Sequence, residues 1–473
     1  MRSFGWSTAL LGLLSTSLCA ANTNLTKPLT SRTVLPSTFK PPQVWKNVNL
    51  VRNINLDKGY AKEAVNVVIE NTDKKEQDEY FLPFEAKLVG KVGGLEVRDK
   101  NEKEKAAFEA ELVEYDPYSP TQFYRIRLPT PLKPSTQQTL SISYSVLSSL
   151  TPLPALISQQ DKQYLVYEFS AYTPSAYVTL KQKTKVKFST SDIPEYTILP
   201  KGSNADGTED PQKQGSTFTY GPYGEVAAGA VEPVRVRYEF TKPLTHATLL
   251  ERDVEISHWG GNLAIEERYW LTNRGANLSN HFSRVTWATT SYYNPPTSAL
   301  KELKIPLRVG SMNPYFTDDI GNVSTSRFRS NSREANLELK PRYPVFGGWN
   351  YNFRVGWDAN LSGFLRKLKT GNDYILKVPF LEGPKQLEGV EYEKVQVRII
   401  LPEGAEHVKY ETAMPIVSAE LITHRTYMDT VGRTALKLTA FNVVDDIRDV
   451  DVVVTYKYSL TSGLRKPLTI FVS

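Results

Sequence analysis

Thiols are nearly missing from this chain of 473 residues, whose only cysteine is Cys19. Cys19 sits inside a leucine-rich N-terminal stretch, so the rest of the chain has neither a disulfide nor a cysteine-based metal site. Its stability must come from buried apolar surface, which a chain this long can supply. Histidine is also scarce, with five residues at His246, His258, His281, His407 and His424. None stands at a zinc-ligand spacing such as His-Glu-x-x-His. A nucleophile elbow, a phosphate-binding glycine loop and a dinucleotide fingerprint are absent too, and no cofactor is expected. Charge of one sign is thin: the net +6 is spread over a chain whose acidic and basic residues intermingle. The one basic cluster, Lys181, Lys183, Lys185 and Lys187, alternates as the solvated face of a strand would. Nucleic-acid binding calls for a denser basic patch with interleaved aromatics, so it is disfavoured.

What is present begins with a secretory signal. Arg2 gives a short positive region, Leu10, Leu11, Leu13, Leu14 and Leu18 an apolar one, and Ala20 and Ala21 the small residues of a cleavage site. The stretch is shorter than the roughly 20 apolar residues of a spanning helix, and removal of residues 1–20 is expected. Beyond it, period-two alternation dominates: Val48, Leu50, Ile54, Leu56; Leu140, Ile142, Tyr144, Val146; Val234, Val236, Tyr238, Phe240; Val395, Val397, Ile399; and Val452, Val454, Tyr456, Tyr458. The expected fold is mostly β, two tandem antiparallel β-sandwich-like domains with few short helices. Helix is expected only over Asn101 to Tyr115, rich in Glu, Lys and Ala, and over Leu361 to Leu368. The polar stretch from Gly202 to Gly215 reads as a loop.

The sequence also repeats itself. Leu50-Val-Arg-Asn-Ile-Asn-Leu56 has a counterpart in Leu250-Glu-Arg-Asp-Val-Glu-Ile256, each followed by a returning strand. An alternating strand and the residues Lys-Pro-Leu-Thr close each half, at Lys242 to Thr245 and Lys466 to Thr469. Two related β domains are therefore expected, over residues 21–245 and 246–465.

Few constellations invite chemistry. Asp449-Val-Asp451 matches the Asp-x-Asp pair of metal-dependent glycosyltransferases, but carboxylates on the wet face of a strand explain it more simply. Asp318-Asp319 and Asp445-Asp446 fit turns. His258-Trp259 fits a structural corner between strands. Asn24, Asn277, Asn322 and Asn360 head Asn-x-Ser/Thr sequons, candidate N-glycosylation sites. The most distinctive stretch is Pro341-Arg-Tyr-Pro-Val-Phe-Gly-Gly-Trp-Asn-Tyr351. Paired glycines between aromatics suit a tight turn that lays a ring across the backbone, so Phe346, Gly347, Gly348, Trp349 and Tyr351 form either a recognition platform or a packed domain corner. Glycosidases use carboxylates far apart in sequence, which leaves a carbohydrate-active enzyme open as a second class.

Together with Arg252-Asp-Val-Glu-Ile-Ser-His-Trp-Gly260, Tyr315-Phe-Thr-Asp-Asp-Ile-Gly-Asn-Val-Ser-Thr-Ser326 and Leu401-Pro-Glu-Gly-Ala-Glu406, that stretch resembles the ribophorin I family, subunit 1 of the oligosaccharyltransferase, with wording nearest the fungal branch. The resemblance implies a lumenal subunit of the endoplasmic reticulum, assembled with catalytic and accessory subunits and near nascent polypeptides and the translocon. The complex moves a preassembled oligosaccharide from dolichyl diphosphate to asparagine. The resemblance makes this subunit non-catalytic, and the catalytic subunit's Trp-Trp-Asp-Tyr-Gly signature does not occur here. It also implies a type I membrane protein, with residues 466–473 the start of a spanning helix that the sequence does not complete. A free-standing lumenal glycan- or polypeptide-binding module is the alternative.

Overall fold

The computed structural model describes residues 34–36, 38–101, 107–113, 116, 118–200, 209–369, 371–427, 429–448 and 450–472. The expected signal segment, Cys19 and Asn24 lie outside them.

Strand dominates, and the mostly-β expectation holds. The chain opens on a hairpin of Trp45–Leu56 and Ala61–Asn71. Its first strand runs parallel to Gln182–Phe188 and its second antiparallel to Gln137–Val146, at the centre of a seven-stranded sheet. A second hairpin, Thr245–Ser257 with Asn262–Asn273, repeats the plan. Its first strand is parallel to Glu391–Ile400 and its second antiparallel to Asn350–Asn360, in another seven-stranded sheet. Each hairpin carries a bulge at the same place, between Asn47 and Asn49 and between Ala247 and Leu249. Each large sheet therefore contains one parallel pairing within an otherwise antiparallel array.

Smaller sheets cover the large ones. In the first half these include Tyr164–Ser170 with Pro233–Glu239, and Gln77–Glu85 with Thr121–Leu132. In the second half they include Leu303–Leu307 with Ala335–Leu339, and Asp373–Pro379 with Asp451–Lys457. Alternating side chains from the layers interdigitate in two separate cores. One holds Leu50, Ile54, Phe123, Leu165 and Val236, and the other Val254, Ile305, Leu337, Val397 and Val454. The lysines at 181, 183, 185 and 187 lie on the outward face of their strand, as expected.

Four local expectations need correction. Within the expected helix over Asn101 to Tyr115, Glu109–Val113 is a strand paired with residues 123–127. Its Glu and Ala content favours helix, but Val113 is buried against the neighbouring strands and that packing prevails. Leu361–Gly363 forms a single 3₁₀ turn, after which Leu365–Lys367 is extended. The described part of the Gly202 to Gly215 stretch includes an edge strand, Gln212–Gln214. The two Lys-Pro-Leu-Thr runs are not equivalent, since the second lies in the helix Arg465–Val472. Among the described residues no helix is long and apolar enough to cross a membrane.

The halves are tied together by a small buried apolar cluster of Tyr60, Leu147 and Val444 and by polar contacts. Tyr60 donates its hydroxyl to Asp445 at 3.0 Å, and Lys58 and Lys62 reach Asp446 at 2.7 and 2.6 Å. The Ser148 N–H donates to Glu391, whose other oxygen faces His246. Leu156–Ile157 pairs in parallel with Asn277–Leu278 across the joint.

Candidate functional site

The Phe-Gly-Gly-Trp motif is shaped by the strand end opposite it. Asn273, fully buried, donates its side-chain amide to the carbonyls of Ser298 and Val345, and its own carbonyl accepts from the Gly348 N–H at 2.8 Å. Gly348 has φ +76, a left-handed conformation open to glycine at little cost. A Cβ on Gly347 would stand 2.1 Å from the Ala276 carbonyl oxygen, so only glycine allows this approach.

The turn divides the aromatic residues by role. Phe346 is fully buried and packs with Phe282 and Trp287 at centroid distances of 5.8 and 5.4 Å. Tyr351 is buried, and its hydroxyl donates to Asp318 at 3.2 Å; burial, and then the Asp318 charge, push its pKa far up. Trp349 is half-buried, edge-on to Phe282 and Phe346. Phe346 and Tyr351 therefore belong to packed structure, and Trp349 stays within reach of solvent.

In front of Trp349 lies a recess of about 340 Å³, lined by Asn277, Leu278, Asn280, His281, Phe282, Gly347, Gly348 and Trp349. The fold thus brings the sequon at Asn277 against the aromatic motif, 70 residues away in sequence. The other two described sequons stand apart. Asn322 is exposed beside the Asp318 to Gly321 turn, where Arg342 donates to Asp318 at 2.6 Å. Asn360 is exposed, and its side-chain oxygen accepts from the Ser362 N–H at 2.9 Å. Phe282, Asn280 and His281 had no signal in the sequence, because the turn carrying them has neither periodicity nor a motif.

A second, narrower recess of about 70 Å³ adjoins His258, Glu403, Arg433 and Lys466. His258 meets the Tyr456 hydroxyl at 2.6 Å and lies among the rings of Tyr374 and Tyr458, and burial pushes its pKa down to about 4. Trp259 lines the same recess but is 71% exposed, so the rings packed on His258 in the expected His-Trp corner are those of tyrosines. Burial opposes ionisation of Asp429, but hydrogen bonds from Thr426 and the charge of Arg433 carry it down to about 2.

The buried carboxylates are held by structural partners. Glu63 accepts from Arg52 at 2.8 and 2.9 Å and from the hydroxyls of Tyr144 and Tyr167. In the second half, Arg252 donates to Glu267 at 2.5 Å and to Glu382 at 2.6 Å, and Tyr269 donates to Glu267. Burial acts to raise the Glu63 carboxyl, but the Arg52 charge leaves it lower than usual. Asp451 pairs with Arg308 and Lys377 at 3.1 and 3.0 Å; Asp449 lies outside the described residues. No three His, Asp or Glu side chains converge as a metal site among the described residues.

These features define a class: a β protein built on two hairpins of the same plan, with an arginine–glutamate cluster in each half and an aromatic recess beside the joint. The Ribophorin I family model matches residues 45–473, and the chain belongs to that family. Similar proteins include dolichyl-diphosphooligosaccharide--protein glycosyltransferase subunit 1 of Schizosaccharomyces pombe, 30% identical over 88% of this chain and 90% of its own. The subunit 1 of Caenorhabditis elegans is 29% identical over 90% of this chain and 69% of its own, and subunit 1B of Arabidopsis thaliana 32% identical over 86% of each.

Proposed function

We propose that this chain is a non-catalytic accessory subunit of the oligosaccharyltransferase complex in the lumen of the endoplasmic reticulum. There it supports the transfer of preassembled oligosaccharide from dolichyl diphosphate to asparagine in Asn-x-Ser/Thr. The observation that carries this reading is the family match over residues 45–473, together with the Schizosaccharomyces pombe relative bearing the subunit 1 name, matched over 90% of its length. The N-terminal signal supports entry into that compartment. The commitment of Glu63, Glu267 and Glu382 to arginine and tyrosine supports a structural use of the acids an enzyme would keep available. Its partners on this reading are the catalytic and other accessory subunits, with nascent polypeptides and the translocon nearby.

The test is affinity isolation of the tagged chain from microsomes in mild detergent, followed by assay of oligosaccharide transfer to an acceptor peptide. Activity is expected in the assembled eluate and not in the chain purified alone. Turnover by the isolated chain would overturn the non-catalytic assignment. Failure to co-purify any activity would favour a free-standing lumenal binding module.

A further inference from the structure

We infer that Asn277 is itself glycosylated and that the first N-acetylglucosamine of its glycan folds back into the recess against Trp349. The inference rests on the lumenal reading above, because the modification requires that compartment.

Four observations meet here. Asn277 heads an Asn-Leu-Ser sequon and is exposed. Its backbone is fixed on both sides: the N–H donates to the Ala155 carbonyl at 2.9 Å, and a bridge joins the residue to Gly347. Its amide makes no hydrogen bond to a described residue, unlike that of Asn360, whose oxygen accepts from Ser362. It also lines the 340 Å³ recess. A Cβ on Gly348 would stand 2.3 Å from Oδ1 of Asn277 and 3.4 Å from Nδ2, so the oxygen faces the glycine and the nitrogen that would carry the sugar is the freer end.

The recess suits the group that this bond would place there. Its volume is at the lower end of the roughly 300–1,000 Å³ typical of ligand sites, room for a sugar ring but not for a branched oligosaccharide. One wall is aromatic, Trp349 and Phe282, where the apolar C–H face of a pyranose can pack. The other side offers Asn280 and His281, polar groups within reach of hydroxyls and the N-acetyl amide. An attached ring enters without the translational cost of a free ligand, so a shallow recess is enough. Asn322 and Asn360 line neither recess, so their glycans extend into solvent.

The full-length chain is expressed in a eukaryotic secretory host and its glycopeptides mapped by mass spectrometry. Occupancy is expected at Asn277. A Thr26→Ala, Ser324→Ala, Ser362→Ala variant then leaves Asn277 as the remaining acceptor and keeps the Asn360 turn intact. In that variant, protein trimmed to a single N-acetylglucosamine should melt about 2–4 °C above protein stripped completely. The difference should disappear in Trp349→Ala and persist in Trp349→Phe. If Trp349→Ala fails to fold, Phe282→Ala reads the same coupling. Glycans at Asn322 and Asn360 with Asn277 bare would overturn the inference and leave the lumenal reading standing; bare asparagines at all three would overturn both. Occupancy at Asn277 with no melting difference, or with a difference that survives Trp349→Ala, would overturn the packing against the ring.

Discussion

Arg252 and Glu267 are both completely buried, an arrangement that costs several kcal/mol of desolvation per ion and is tolerated because each charge meets another. Glu267→Ala leaves the guanidinium with Glu382 as its one remaining acid, and is expected to lower unfolding free energy by about 3–5 kcal/mol in denaturant titration. The triple change Arg252→Met, Glu267→Leu, Glu382→Leu should recover much of that loss, since an apolar cluster of similar volume leaves no buried charge without a partner. His258 sets a pH dependence. Its folded pKa of about 4 lies below the ordinary 6.5, so the unfolded chain binds the proton more readily. The stability it contributes is fully present above pH 6.5 and is lost as pH falls through about 4. Comparing melting temperature against pH for the wild type and His258→Gln should show a shallower slope over that window in the variant. These residues were partly legible in the sequence. In Leu50-x-Arg52-x-Ile54-x-Leu56 the arginine stands in phase with the apolar residues, which marks it as inward-facing, but its acid partner Glu63 lies on the returning strand at a spacing no rule fixes.

At the scale of elements, strands with clean alternation were readable because one face of each is buried, and the hairpins at 45–71 and 245–273 fell where the repeat placed them. The segment around Glu109–Val113 was not, because its composition favours helix and only the neighbouring strand decides otherwise. The helix Arg284–Tyr292 escaped notice for the opposite reason. It has no buried residue and no apolar stripe, so its sequence has no periodicity to read. Such a helix depends on its ends. Ser283 caps it by accepting from the Thr286 N–H, and Ser283→Ala should cost about 1 kcal/mol and speed amide exchange over residues 284–292, leaving the sheets unchanged. The recess wall was half legible, since the Gly-Gly turn between aromatics announces a ring near backbone. Its meeting with Asn277 depends on pairing across the joint, which one sequence does not encode locally.

Among the described residues there are two large cores, joined by polar contacts and by a small apolar cluster of Tyr60, Leu147 and Val444. Gly93 lies where the two halves meet tightly: a Cβ there would stand 1.8 Å from the carbonyl oxygen of Asn442, whose amide donates to the Gly90 and Val92 carbonyls. Gly93→Ala is expected to split a single calorimetric transition into two, one for each core, because the clash sits at the joint. A single transition shifted as a whole would show instead that the cores remain coupled through Tyr60 and Asp445.

The parallel pairing of Thr245–Ser257 with Glu391–Ile400 has a consequence for a chain made from its N-terminus. The second hairpin can close as soon as Asn273 emerges, but its other edge must wait for a strand more than a hundred residues away. Asn277, Asn322 and Asn360 all lie within that interval. Each of these candidate asparagines therefore leaves the ribosome while the second sheet still lacks its central partner, before the fold around it has closed.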